Sequence, residues 1–204
     1  MNSIKAIAQK MEHGATVSFI TALSITDLLE LLDIPDPNKP FEDNRRVNKR
    51  HAMEFGDYWE SQRNGWISPP LLLDTELVIE YEYIQHLEAQ STVLINIPSS
   101  KKRDVSILDG QHRVLGWFLK QNDLHSRQNE ANGTYNRAVF ANDLILKLAA
   151  EDELRKIEYS LNRMRNEKVG ITLISGLQRM LSELTKQSKV SLMQRLLLIV
   201  CLWS

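Results

Sequence analysis

The sequence contains one cysteine, Cys201, among its 204 residues. A single cysteine cannot build a disulfide framework or a cysteine-based metal site within the chain, and it suits a reducing compartment, so we expect a cytoplasmic location. The first residues lack the continuous apolar core of a secretory signal peptide. The apolar stretch at residues 192–203 is shorter than the ~20 apolar residues that span a bilayer, so no membrane partner is expected.

Neither sign of charge dominates, because 25 Lys and Arg stand against 26 Asp and Glu, for a formal net charge of −1. This balance gives no overall case for nucleic-acid binding, so any such surface must be local. Charged runs are usually only solvated. Two basic runs are nevertheless candidate contacts for DNA backbone or other phosphates: Arg45, Arg46, Lys49 and Arg50, and Lys101, Lys102 and Arg103.

The chain also lacks the P-loop, GxSxG and HExxH signatures. The histidines show no metal-ligand spacing, so no metal site is predicted. A cluster of acidic residues at 74–82 is interpreted as a solvated sheet face. The alternative is that one of its carboxylates orients Arg113 or a metal. The four histidines considered, of five in the sequence, are His51, His86, His112 and His125, and the acidic residues are Asp74, Glu76, Glu80 and Glu82.

Apolar spacing predicts two helices before the sheet. Residues 24–32 carry leucines on one side and can be capped by Ser24 or Thr26. Residues 34–40 are proline-rich and predict a loop. Residues 51–59 place Phe55, Tyr58 and Trp59 on one face, and these aromatic rings, with Trp66, are expected in the core rather than as a base-stacking platform.

The middle of the chain is typical of a small mixed sheet between residues 71 and 108. Its four predicted strands are 71–73, 77–84, 93–97 and 105–108. A helix is expected over 111–120, a mobile polar loop over 122–136, and mostly helix from 139 onward. The fold class is therefore α+β. We expect a core domain at 1–120, followed at 121–204 by a polar loop and a mostly helical extension.

The residues that join the last predicted strand to its helix carry the strongest chemical signal. Gly110 can adopt a positive φ and let a ligand approach the backbone, and the first amides of the following helix attract anions. Arg113 can bind a phosphate in bidentate fashion, and His112 can donate to phosphate or move a proton. Gln111 can bond a ribose, a base or water. Asp109 can bind a sugar hydroxyl or a hydrated Mg²⁺.

A structural interpretation of the same residues stays open at this point. Asp-Gly is a common turn, and Asp109 can simply cap the helix. Arg113 can equally pair with Glu80 or Glu82 on the sheet.

The run Ile107-Leu108-Asp109-Gly110-Gln111-His112-Arg113 resembles the motif of the DGQHR-domain proteins, which include the DndB group linked to DNA phosphorothioate modification. These proteins are similar to the wider ParB/sulfiredoxin superfamily, whose equivalent strand–turn–helix binds the phosphates of CTP or ATP. Upstream residues extend the likeness over residues 14–119. They are Asn44, Arg45, Arg46, His51, Tyr58 and the run Trp66-Ile67-Ser68-Pro69-Pro70.

The resemblance implies a ParB/sulfiredoxin-like fold and a cytoplasmic protein of prokaryotic DNA modification or defence. Such a protein would bind ATP or CTP, with Mg²⁺ as a further candidate, and would regulate binding to DNA or to other proteins of the system. Asp109, Gly110, Gln111, His112 and Arg113 would bind the nucleotide. His112 and Asp109 are the catalytic candidates if the nucleotide is hydrolysed.

Two other functions stay open: a non-enzymatic transcriptional regulator with a structural motif, and a nuclease or phosphotransferase on the same scaffold. The family's later asparagine-rich segment has only residues 162–166 as a candidate. A chain truncated or frame-shifted towards its C-terminus is an alternative that stays open.

Overall fold

The computed structural model describes residues 3–13, 16–39, 46–63, 65–87, 90–98 and 104–175. Its strands are β1 (Ser3–His13), β2 (Thr16–Ser24), β3 (Leu71–Thr75), β4 (Glu80–Leu87), β5 (Gln90–Pro98), β6 (Val105–Asp109) and β7 (Lys168–Ser175). Its helices are α1 (Ile25–Leu31), α2 (Lys49–Ser61), α3 (Gln111–Phe140) and α4 (Leu144–Asn166). The α+β class predicted from the sequence is confirmed.

The seven strands form one sheet in the order β4-β5-β1-β2-β7-β3-β6. All neighbouring pairs are antiparallel except β3 and β7, which run parallel, so the sheet is mixed. Alternate strand residues are buried in the same core as residues from all four helices, because each strand turns every second side chain towards that core. The core includes Leu71, Leu73, Ile171 and Leu173 from the strands and Leu28, Trp59, Trp117 and Ile157 from the helices.

Several local predictions agree with the structure. Ser24 caps α1 through a capping box: its hydroxyl accepts from the Asp27 amide at 3.0 Å, and the Asp27 carboxylate accepts from the Ser24 amide at 3.2 Å. The second helix and the third, fourth, fifth and sixth strands lie where the sequence predicts them, within a few residues. Trp59 is fully buried, and Phe55 and Trp66 pack against the core, whereas the core position predicted for Tyr58 is wrong, because its side chain is 41% exposed.

The predicted mobile loop at 122–136 is wrong, because α3 continues without a break to Phe140. The polar composition that suggested a loop belongs to a long helix that buries only three side chains beyond residue 120: Leu124, Ala131 and Ala138, spaced seven residues apart. Seven residues are close to two helical turns, so these three side chains lie on one face. That face packs against α4.

The extent predicted for the sheet is also wrong. The sheet starts at Ser3 rather than near residue 71, and β7 adds a strand in a region expected to be helical. Residue 120, the expected boundary between the core domain and the extension, lies inside helix α3. Because β7 lies between β2 and β3, described residues from both sides of this boundary contribute strands to one sheet. Within the described residues, no helix is long and apolar enough to cross a membrane.

Candidate functional site

The predicted strand–turn–helix is present at the end of the sheet. β6 ends at Asp109, Gly110 has φ = +103° and forms the N-cap of α3, and the helix begins at Gln111. A Cβ atom built on Gly110 would lie 2.2 Å from Cδ2 of Leu71 and 2.9 Å from an Arg113 nitrogen. Glycine is required here for both reasons, since the positive φ disfavours other residues and β3 leaves no space for a side chain.

Arg113 is held by four acceptors. Its guanidinium donates to Ser68 Oγ at 2.8 Å, to the Pro69 carbonyl, to the Pro70 carbonyl at 3.4 Å and to Asp109 Oδ2 at 3.2 Å. The side chain is only 12% exposed. Burial lowers the pKa of the guanidinium, and the Asp109 carboxylate opposes that change. In this structure Arg113 therefore positions residues 68–70 on the motif.

The alternative in which Arg113 pairs with Glu80 or Glu82 is wrong. These glutamates are exposed on β4, at one end of the strand order, whereas Arg113 follows β6 at the opposite end. The carboxylate that contacts Arg113 is Asp109, four residues earlier in the chain.

Gln111 and His112 also make intramolecular hydrogen bonds. Gln111 is buried, and its side-chain amide donates to the Ile107 carbonyl at 3.3 Å. His112 Nε2 accepts from the backbone N–H of Asn48 at 2.9 Å. Burial, and then the nearby His51, lower the pKa of the His112 imidazole. His112 is therefore neutral near pH 7, with its proton on Nδ1, because Nε2 acts as the acceptor.

The N-termini of α2 and α3 meet at this site. Asn48 is the N-cap of α2: its side chain accepts from the amides of Arg50 and His51, while its own amide donates to His112 on α3. The rings of His51 and His112 lie 6.1 Å apart between centroids. Each helix N-terminus carries a partial positive charge, so two of them at one place attract an anion more strongly than one.

The N-terminus of α3 is unlike those of the other described helices, because no side chain caps it. Side chains of Ser24, Asn48 and Asp143 cap α1, α2 and α4. The first amides of α3 that donate to the Gly110 carbonyl are those of Arg113 and Val114, so the amides of Gln111 and His112 come before the hydrogen bonds within the helix.

Part of one of the two predicted basic runs lies at this site. Arg46, Lys49 and Arg50 are exposed at and before the start of α2, where Arg50 pairs with Glu54 at 2.8 Å. A groove of about 350 Å³ between α2 and α3 starts beside Lys49. The remaining predicted contacts, Arg45, Lys101, Lys102 and Arg103, lie outside the described residues.

Across the part of the chain that the structure describes, no group of three or more His, Cys, Asp or Glu side chains could hold a metal ion. The Asp109 carboxylate is 73% exposed beside the turn. Mg²⁺ often binds through one carboxylate, several waters and the phosphates of its nucleotide, so Asp109 fits that kind of binding.

Arg163 and Glu167, whose roles were not predicted from the sequence, join α2, α4 and the segment leading to residues 68–70. The buried Arg163 donates to the carbonyls of Trp59, Glu60 and Gln62 at the end of α2 and pairs with Glu167. The Glu167 carboxylate also accepts from the Trp59 indole at 3.0 Å and the Trp66 indole at 2.7 Å. Their i,i+4 spacing in a region predicted to be mostly helical was the available signal.

A second ion-pair network, also missed, links α2, α3 and α4. Lys120 is 9% exposed and contacts Asp57 at 2.7 Å and Glu60 at 3.0 Å. Arg127 contacts Glu60 at 3.0 Å and Glu153 at 2.7 Å. The network fixes the helices that carry the site.

Comparison with protein-family models, with curated proteins and with solved structures finds no match to this chain.

Proposed function

We propose that this chain is a nucleotide-binding protein of the DGQHR type, with a ParB/sulfiredoxin-like core, which binds the phosphates of ATP or CTP at the start of α3. The observation that carries the proposal is the uncapped N-terminus of α3, which meets the N-terminus of α2 beside exposed cations. Two helix N-termini and nearby Lys and Arg side chains favour a multiply charged anion.

Different residues of this site would bind different parts of the nucleotide. The Gln111 and His112 amides would donate to phosphate oxygens, and the positive φ of Gly110 sets the direction in which the helix begins. Arg46 and Lys49 would neutralise further phosphate charge. Asp109 would hold a hydrated Mg²⁺. The groove between α2 and α3, at about 350 Å³, is in the size range of small-molecule pockets and would take the nucleoside.

Binding is better supported than hydrolysis. A general base needs a free lone pair within reach of the attacking water. His112 Nε2 instead accepts the Asn48 amide, and one oxygen of Asp109 accepts from Arg113. We therefore propose that the nucleotide acts as a bound regulator of DNA or protein contacts in a DNA modification system, with Arg113 as a positioning residue.

Calorimetric titration with ATP and CTP, each with and without Mg²⁺, tests this proposal. We expect one of them to bind. The double change Arg46→Gln and Lys49→Gln should weaken binding by about tenfold or more, because each lost phosphate contact is worth roughly 1 kcal/mol or more. The change Arg155→Gln on the exposed face of α4 is the control and should leave the affinity unchanged.

Two results would overturn the nucleotide site. One is the absence of binding by either nucleotide. The other is an equal affinity in the double variant and in the wild type. Release of nucleoside diphosphate at a rate above the buffer rate would instead assign hydrolysis to this protein.

A second candidate function is a DNA-binding regulator in which the motif is structural. The observation that favours it is that the side chains of Gln111, His112 and Arg113 all bond other parts of the chain. Its test is DNA binding at low salt. If Arg46, Lys49 and Arg50 contact phosphates, affinity should fall steeply as salt rises, and each neutral substitution should reduce the salt slope by about one.

A further inference from the structure

The tip of the α3–α4 hairpin exposes an unusual amount of apolar surface. We use "hairpin tip" for residues 139–148, which include the end of α3, a three-residue turn and the first turn of α4. Six of its ten residues are large apolar side chains that are 41–96% exposed. They are Val139 at 52%, Phe140 at 96%, Leu144 at 65%, Ile145 at 84%, Leu146 at 41% and Leu148 at 52%.

The backbone of the hairpin tip is well ordered by hydrogen bonds. The Ala141 amide donates to the Arg137 carbonyl at 2.9 Å, and the Asp143 amide donates to the Ala138 carbonyl at 2.9 Å. Asn142 takes a left-handed conformation, with φ = 52°. The Asp143 side chain caps α4 by accepting from the Leu146 amide at 3.0 Å. The apolar side chains are therefore held on a defined surface.

The exposed area matches that of a protein interface. A fully exposed phenylalanine has a surface of about 200 Å², and the five aliphatic side chains have somewhat less, so the exposed fractions correspond to several hundred Å². This area is of the order of the ~800 Å² that each partner contributes to a standard interface. Apolar patches on monomers are usually about 300–600 Å².

The charges around the hairpin tip disfavour polyanionic partners. Arg137 and Lys147 are balanced by Asp143 and Glu151, and Lys147 lies 3.7 Å from Glu151. A surface without excess positive charge does not favour DNA or an anionic membrane. The same surface can meet itself about a twofold axis without net repulsion. We propose that the hairpin tip is a homodimer interface, in which the partner is a second copy of this chain.

Sedimentation velocity on the full chain at about 100 μM, well above a dissociation constant of ~1 μM, tests the proposal. The wild type should be a dimer. The double change Phe140→Ser and Ile145→Ser should give a folded monomer with an unchanged circular dichroism spectrum, because both side chains are exposed. The control Val78→Ser removes another exposed apolar side chain, 86% exposed and outside the hairpin tip, and should remain a dimer.

Two results would overturn the proposal: a monomeric wild type, or a double variant that stays dimeric. Photo-cross-linking gives an independent measurement. With benzoylphenylalanine in place of Phe140, cross-linked peptides should map to residues 139–148 of the second copy. Peptides that map only to other regions would place the contact elsewhere.

Discussion

Gly110 shows how one residue determines the geometry of the candidate site. Its φ of +103° and the contact of 2.2 Å that a Cβ would make with Leu71 both oppose any side chain. Gly110→Ala should therefore lower the free energy of unfolding by about 1–3 kcal/mol, the usual cost of one strained backbone position. Urea denaturation measures this change.

Gly133, inside helix α3, provides a matched control for Gly110. A Cβ atom built there meets nothing within 4 Å, and the residue lies in the interior of α3. Gly133→Ala should stabilise the protein by about 0.5–1 kcal/mol, because alanine favours helix and loses less conformational freedom on folding. Equal effects of the two substitutions would contradict the role given to Gly110.

His112 should make stability depend on pH. Burial and the neighbouring His51 lower the pKa of the His112 imidazole in the folded state. The unfolded chain therefore binds the proton more readily, and stability rises with pH in the window between the two pKa values. The contribution of His112 should be complete above about pH 6.5, its ordinary pKa, and should be lost as the pH falls through the lowered value.

The variant His112→Gln isolates this contribution. Glutamine keeps an oxygen that can accept from the Asn48 amide, but it does not titrate. As the pH falls below about 6.5, the melting temperature of the wild type should fall relative to that of the variant, because only the wild type loses the contribution of His112. A constant difference across the range would show that His112 does not carry the dependence.

At the scale of elements, Arg163 is the main attachment of α2 to α4. It donates to three carbonyls at the end of α2, pairs with Glu167 and stacks over Trp59, with 4.6 Å between the guanidinium carbon and the ring centroid. Arg163→Met should destabilise the protein by about 3–5 kcal/mol, because Glu167 would keep a partly buried charge without its partner. Thermal and urea denaturation measure the loss.

Arg155 on the same helix is the control for this substitution. It is exposed and lies 3.6 Å from Asp152 in a surface pair. Arg155→Met should change stability little, because exposed pairs of this kind contribute little. Comparable losses in both variants would mean that the position of Arg163 at the end of α2 has no special importance.

Helix α3 explains where prediction from the sequence succeeded and where it failed. Its first turns contain Val114, Leu115 and Trp117, so the start of the helix was predictable from apolar spacing. Its second half is stabilised by contacts that are distant in sequence, such as Arg127 with Glu60 and Glu153. A local pattern contains no information about such partners, and the polar composition therefore indicated a loop.

The strands at the N-terminus were not predicted, for a related reason. Strand β1 turns Ala8 and Lys10 towards the core and leaves Ile7 64% exposed, so its alternation does not follow hydrophobicity. Lys10 is buried because Glu12, Tyr81 and Tyr83 all accept from its ammonium group, and these bonds raise its pKa. The tyrosines lie on β4, more than 70 residues away along the chain.

The candidate site was predictable in its backbone but not in its side-chain contacts. The Asp-Gly turn and the helix start were predicted from local residues. The contacts of Arg113 with residues 68–70 and of His112 with Asn48 depend on where the fold brings distant segments together. Local patterns contain no such information.

At the scale of the whole molecule, β7 connects the sheet. It pairs with β2 on one side and with β3 on the other, and no other described strand joins these two. A chain ending at residue 120 would leave β4-β5-β1-β2 and β3-β6 as separate groups and would lack α4. We expect it to show no cooperative thermal transition by circular dichroism, whereas a chain ending after residue 175 should keep one. A cooperative transition in the shorter chain would make residues 1–120 an independent domain.

The place of β7 also has a consequence for synthesis on the ribosome. Until residues 168–175 have left the exit tunnel, β2 and β3 each have an unpaired edge, and such edges can pair with other chains. All residues up to the end of β7 must therefore be made before the two groups of strands can join into one sheet. Because domains generally fold as units during synthesis, the edges of β2 and β3 stay open to other chains until β7 has emerged.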